Sequence, residues 1–234
     1  RDSALKTEAY KPARLQAGTP DGKIKFAATD LQGYIEKMSG AKLPIVSDAQ
    51  EVKGTLVLVG PSKRTESLQG LKIPSGLTPE RNEEGYVIHA KGATLVLAGN
   101  DEGPYMGTYY AVAEFLRRQG VRWIMPGDFG EIIPKKTTIA IDNIDFTDKP
   151  SFRLRTWWCN QTAEMGQTEA LWKLRNKMQV GETDNIGIPG DSSLHTYMPD
   201  LALTNSNPQV FGKNLDGTLC PSMANLANPE AAKL

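Results

Sequence analysis

The side chains able to do chemistry in this sequence are scattered along it. His89 and His195 lie far apart, and Cys159 and Cys220 lack the partner spacing of a metal site, so no zinc and no other cofactor is expected. The thiols read as free, half-buried groups, with a disulfide as the alternative in an oxidising compartment. Arg155 carries a rigid fork of donors that holds two vicinal hydroxyls or a carboxylate in register, and that serves equally well to pair with a protein carboxylate. Trp157 and Trp158 are adjacent; on a strand they point to opposite faces, so at most one offers a ligand its ring while the other packs. His89 alternates with Ile88 and Ala90 and reads as structural or surface. Among Glu164, Glu169, Glu182, Asp184, Asp191 and Asp200 no acid and base pair is assignable, because helix-surface or turn roles account for each. Gly99, Gly103 and Gly107 are spaced by four, Gly60-Pro61-Ser62-Lys63 is no phosphate loop, and no Gly-x-Ser-x-Gly elbow occurs. Nucleotide chemistry and serine hydrolysis are therefore unsupported.

The elements that must position these residues fall into two regions. In the first, residues 1–147, a strand is expected over 9–15, a helix over 25–39 and a strand over 55–59. The runs 86–90 and 94–98 form a hairpin turning at Lys91-Gly92. Gly103 and Pro104 open a helix whose apolar face is Met106, Tyr109, Tyr110, Ala113 and Leu116. Arg117 and Arg118 suit its negative end and Gly120 its left-handed stop. Val121, Trp123 and Ile124 then read as a strand, followed by a second strand-like run over 137–141. The result is an α+β domain, a sheet with helices on one side, from which segment 62–84 departs as a surface excursion.

In the second region, residues 148–234, a buried strand is expected over 151–159 and a helix over 164–178 carrying Leu171, Trp172, Leu174 and Met178. Residues 177–180 are expected to lead directly into a second strand. That order fits the opening of a parallel (β/α)8 barrel, which takes ~250 residues where only about 85 are present, so the barrel is expected to be incomplete. The Pro-, Asn- and Gly-rich stretch 182–234 reads as loops.

Composition excludes several classes. The 234 residues hold 27 basic and 27 acidic side chains and are 39% hydrophobic, an ordinary globular balance with no pull on a polyanion. Lys135-Lys136 and Arg117-Arg118 read as solvated positions, so neither nucleic acid nor a membrane surface is expected as a partner. No apolar run reaches the ~20 residues of a membrane span. The first residues lack the apolar core of a secretory signal, and a chain beginning at Arg1 leaves open a signal peptide already removed.

The order of motifs within residues 100–134 resembles the accessory domain that precedes the catalytic barrel in β-hexosaminidases, α-glucuronidases and related uncharacterised bacterial proteins. The residues that carry the likeness are the small-residue helix with Gly107, Phe115-Leu116, Gly120-Val121-Arg122-Trp123, Pro126-Gly127 and Pro134. Leu31, Tyr34, Ile35, Met38 and Gly40 ahead of Leu43-Pro44-Ile45-Val46 extend it. The resemblance covers residues 5–160 and implies part of a secreted or periplasmic glycoside hydrolase acting on a poly- or oligosaccharide. Its catalytic carboxylates would lie beyond residue 234, so this chain alone is expected to be inactive. It also implies that Arg155, within Pro150-Ser151-Phe152-Arg153-Leu154-Arg155, clamps sugar hydroxyls, with Trp157 or Trp158 as an aromatic platform. Asn176 at a helix-to-strand entry and His195 in the loop Leu194-His195-Thr196-Tyr197 are the other substrate-binding candidates. The alternatives are a non-catalytic carbohydrate-binding or interaction protein, and a domain that only buttresses another module. Oligomeric state is not legible.

Overall fold

The first helix is specified at both ends by its own residues. In α1 (Pro20–Ser39) the Thr19 side chain accepts from Gly22 N, Pro20 sits at the first turn, and Gly40 closes the helix at φ 80. The computed structural model describes residues 18–78, 83–152, 155, 163–179, 206–225 and 227–230. The expected strand at 9–15 lies outside them. Contacts divide the chain into two units, 1–184 and 185–234.

The first unit is built on an open four-stranded sheet. Its strands are β1 (Leu56–Val59), β2 (Tyr86–Lys91), β3 (Thr94–Gly99) and β6 (Ile144–Asp148), in the order β1-β3-β2-β6. β1 runs parallel to β3, while β2 is antiparallel to both β3 and β6. Alternation decides what each face meets. Val57, Val59, Tyr86, Ile88, Ala90, Leu95, Leu97, Ile144 and Phe146 join the main core, under α1 and α3 (Gly107–Arg118). Leu56, Leu58, Val87, Val96 and Ala98 point the other way and pack with Leu68, Leu71 and Ile73. Segment 62–73 is therefore a lid on the second face, begun by the one-turn helix α2 (Lys63–Glu66) with its Ser62/Thr65 capping box. The surface excursion expected over 62–84 is thus not what 62–73 form, and Glu84 at its far end is buried; residues 79–82 lie outside the described ones.

Helix α3 departs from a one-sided amphipathic helix. Every residue from Gly107 to Leu116 is buried, because the sheet, α1 and α4 (Ala163–Arg175) enclose it. It begins three residues after Pro104, following a turn in which Tyr105 N donates to Glu102 O. Gly99 and Gly107 permit that junction: a Cβ on Gly107 would stand 2.3 Å from Asn100 N and 2.4 Å from Gly85 O. The turn is pinned by Lys23 of α1, whose buried Nζ donates to the carbonyls of Asp101, Gly103 and Tyr105 at 2.9, 2.5 and 2.9 Å.

After α3, Gly120 (φ 99) reverses the chain into a two-residue ladder of β4 (Arg122–Trp123) with β5 (Glu131–Ile132). Residues 137–141, expected as a strand, have no ladder; β6 takes that place because Ile144 and Phe146 alternate with polar residues and match β2 in register. Helix α4 packs on this same unit, burying Leu174 in the main core. It ends in a turn in which Lys177 has φ 58, and the strand into which 177–180 were expected to lead lies outside the described residues. Of the strand expected at 151–159, only Ser151, Phe152 and Arg155 are described, and none is in a strand. The α+β content agrees with the sequence reading; none of the sheets among the described residues is closed.

The second unit contains β7 (Phe211–Lys213) and β8 (Leu219–Ala224), an antiparallel hairpin with a register shift between Phe211 and Gly212. Asn214 N donates to Thr218 O, and Gly217 supplies φ 85 in the turn. This corrects the reading of 182–234 as loops throughout: short strands interrupted by Gly and Pro carry too little period to be seen.

Candidate functional site

Three cations that follow residue 150 reach back into the α+β unit, and their partners define the region. Arg155 Nη2 donates to Glu84 at 2.8 Å, its Nε to Lys177 O at 2.7 Å and its Nη1 to Phe152 O at 2.6 Å. Glu84 is fully buried and also accepts from Tyr110 Oη at 3.2 Å. The fork expected to clamp sugar hydroxyls is thus filled by protein groups. Burial alone would weaken the Arg155 charge, but Tyr110 and Glu84 more than offset this and hold it on the guanidinium.

Arg175, at the last turn of α4, bridges two more carboxylates. Its Nη1 donates to Glu131 at 2.6 Å, and its Nη2 lies 3.4 Å from Asp30. Tyr109 Oη donates to Asp30 at 2.6 Å, Tyr34 Oη to Glu131 at 2.5 Å, and Trp123 Nε1 to Tyr34 Oη at 2.7 Å. The guanidinium also lies 5.2 Å from the Tyr34 ring centre and 5.8 Å from that of Trp123, within cation–π range. Burial drives the Tyr34 and Tyr109 hydroxyls far above their ordinary range, so both are permanent donors.

The third cation, Lys177, donates to Tyr86 Oη at 2.8 Å and to Glu114 at 2.9 Å. Glu114 also accepts from Arg117 at 2.7 and 2.9 Å and from Arg118 at 3.0 Å. Burial pushes its carboxyl up, but the hydrogen bonds from Arg117 and Lys177 and their charges bring it down to about 2. It is a carboxylate at any ordinary pH and cannot lend a proton to a leaving group.

Around Lys177 opens a pocket of about 400 Å³. Its charged lining is Arg117, Arg122, Arg175, Lys177 and Glu114; Val121, Trp123, Ile124 and Ile132 supply apolar wall. Asn176 is there too, with its amide donating to Trp172 O at 2.9 Å and Trp123 O at 3.3 Å, which staples the end of α4 to β4. Of the substrate-binding candidates, the structure brings Asn176 to this pocket and puts Arg155 in the Glu84 pair, outside its lining. Trp157, Trp158 and His195 lie outside the described residues. His89 is partly exposed, 3.4 Å from Asp145, in keeping with a structural or surface position. Among the described residues no cluster of metal-ligating side chains occurs, and no helix is long and apolar enough to cross a membrane.

Sequence reasoning overlooked Glu114, Arg122, Arg175 and Lys177 as a group. The available signal was Glu114 three and four residues before Arg117 and Arg118, a spacing that stacks one carboxylate beneath two cations. Searches with this chain find no matching family model, no curated protein and no solved structure.

Proposed function

We propose that this chain is the accessory α+β module, with the start of an adjoining catalytic barrel, of a glycoside hydrolase-like protein. In that protein the module seats the chain that follows it and performs no bond-breaking step itself. The reading takes its enzyme class, its carbohydrate substrate and its secreted or periplasmic location from the ordered motifs of residues 100–134. Its structural support is one observation: Arg155, Arg175 and Lys177 are each spent on carboxylates earlier in the same unit, Glu84, Asp30 with Glu131, and Glu114. Breaking a buried pair by removing one partner costs about 3–5 kcal/mol, so three such pairs form a firm seat. Glu114, the carboxylate of the pocket, is too acidic to act as general acid.

Hydrogen exchange on the whole chain tests this. Amides of residues 168–176 should be protected to the same degree as those of 108–116, and Asp30→Asn with Glu131→Gln should release the former while sparing the latter. Free exchange over 168–176 in the unaltered chain would remove the seating role. Turnover of aryl glycosides by the chain, abolished by Glu114→Gln, would overturn the non-catalytic assignment.

A further inference from the structure

We infer that the pocket beside Lys177 is a binding site for a small organic carboxylate carried on an apolar or ring body. The inference stands apart from the glycoside hydrolase reading. Four cations and one carboxylate line the pocket, and that carboxylate is already saturated by Arg117, Arg118 and Lys177. Donor capacity is left over. Arg122 uses only Nη1, on the carbonyls of Arg117 and Val121 at 2.6 and 2.8 Å, which leaves its Nε and Nη2 without a partner among the described residues. Those two N–H groups are the parallel edge of a guanidinium, the geometry that takes both oxygens of a carboxylate at once. Arg117 commits Nε and Nη2 to Glu114 and keeps Nη1, and the Arg175 Nε is buried with no acceptor.

Two helix ends approach the pocket, and their exposed carbonyls would repel an anion if left bare. They are not bare: Arg122 covers the end of α3, and Asn176 covers Trp172 O at the end of α4. The remaining wall is apolar, with Trp123 and Val121 at its base and Ile124 and Ile132 65% and 50% exposed at its margin. A bare inorganic anion would leave that apolar wall wet. A carboxylate on a ring or short aliphatic body meets both halves of the lining.

Titration calorimetry of the whole chain with benzoate, phenyl phosphate and benzamide is the test. Benzoate should bind with a dissociation constant in the millimolar range or tighter, and benzamide, the same body without charge, at least tenfold more weakly. Arg122→Gln, at an exposed position whose replacement leaves the core intact, should weaken benzoate at least tenfold. Ile124→Glu, which sets a negative charge at the mouth without touching a cation, should do the same with an unchanged melting temperature. Equal affinity for benzoate and benzamide, or insensitivity to both substitutions, would overturn the site. Tighter binding of phenyl phosphate than of benzoate would overturn the carboxylate assignment.

Discussion

Replacing Glu114 by Gln should remove a component of stability whose pH dependence is fixed by its surroundings. The carboxyl sits at about 2 in the folded chain against an ordinary 4.5. Because the folded value is the lower one, the contribution is fully present above pH 4.5 and is lost as pH falls towards 2. At roughly 1.4 kcal/mol per tenfold change, the interval is worth about 3 kcal/mol at pH 7 and about 1.4 kcal/mol at pH 3. The side chain is only 3% exposed, so solvent screening takes little from these figures. Urea unfolding of the unaltered chain and Glu114→Gln, at pH 7 and at pH 3, reads the effect. With a slope of about 2 kcal/mol per molar urea, the midpoints should differ by about 1.5 M at pH 7 and about 0.7 M at pH 3. A gap that stays constant between the two pH values would show that the three cations do not hold the carboxyl down, and the reasoning would fail.

Asp101 should give the opposite slope: burial raises its carboxyl to about 6, against hydrogen bonds from Thr108 and the charge of Lys23 that pull it down. Its contribution is present below pH 3.8 and lost as pH rises through 6, about 3 kcal/mol in all, and Asp101→Asn should flatten that window in urea titrations at pH 4 and 7. Gly107→Ala drives a Cβ into the Asn100 and Gly85 backbone and should cost at least about 3 kcal/mol in thermal unfolding; a loss under 1 kcal/mol would show that the α3 junction can shift. Arg155→Met should cost about 3–5 kcal/mol by leaving Glu84 without its cation, and adding Glu84→Gln should recover part of it; strictly additive losses would deny the pairing.

Local rules reached the parts of this chain whose partners are near in sequence. Thr19-Pro20-Asp21 announces α1 five residues ahead of the expected start, and the hairpin of β2 and β3 is written in its own alternation around Gly92. What failed was local inference about distant partners. Residues 137–141 are richer in β-branched side chains than β6, yet β6 wins because its Ile144 and Phe146 register with Ala90 and Ile88. Arg155 carries a fork suited to a ligand, and nothing near it in sequence discloses that Glu84, 71 positions earlier, fills that fork. Lys23 looks like any helix-surface lysine until the turn at 101–105 folds over it. The pocket escaped notice for the same reason, since its cations come from two helix ends and a two-residue strand.

The Asp30–Arg175 contact joins residues 145 positions apart, which matters for a chain made from one end. Translation adds roughly 5–20 residues per second, so Arg175 is made roughly 7–30 s after Asp30. In that interval, among the described residues, Asp30 has the Tyr109 hydroxyl, and Glu131 has Tyr34 and Lys37, to hold charges that the finished chain buries. The nascent sheet and its two long helices must therefore wait half-neutralised, dependent on water at the site Arg175 will fill. Late arrival of one guanidinium makes the last turn of α4 a latch on the sheet and helices made before it, and a ribosome stalled before residue 175 should display that seam open.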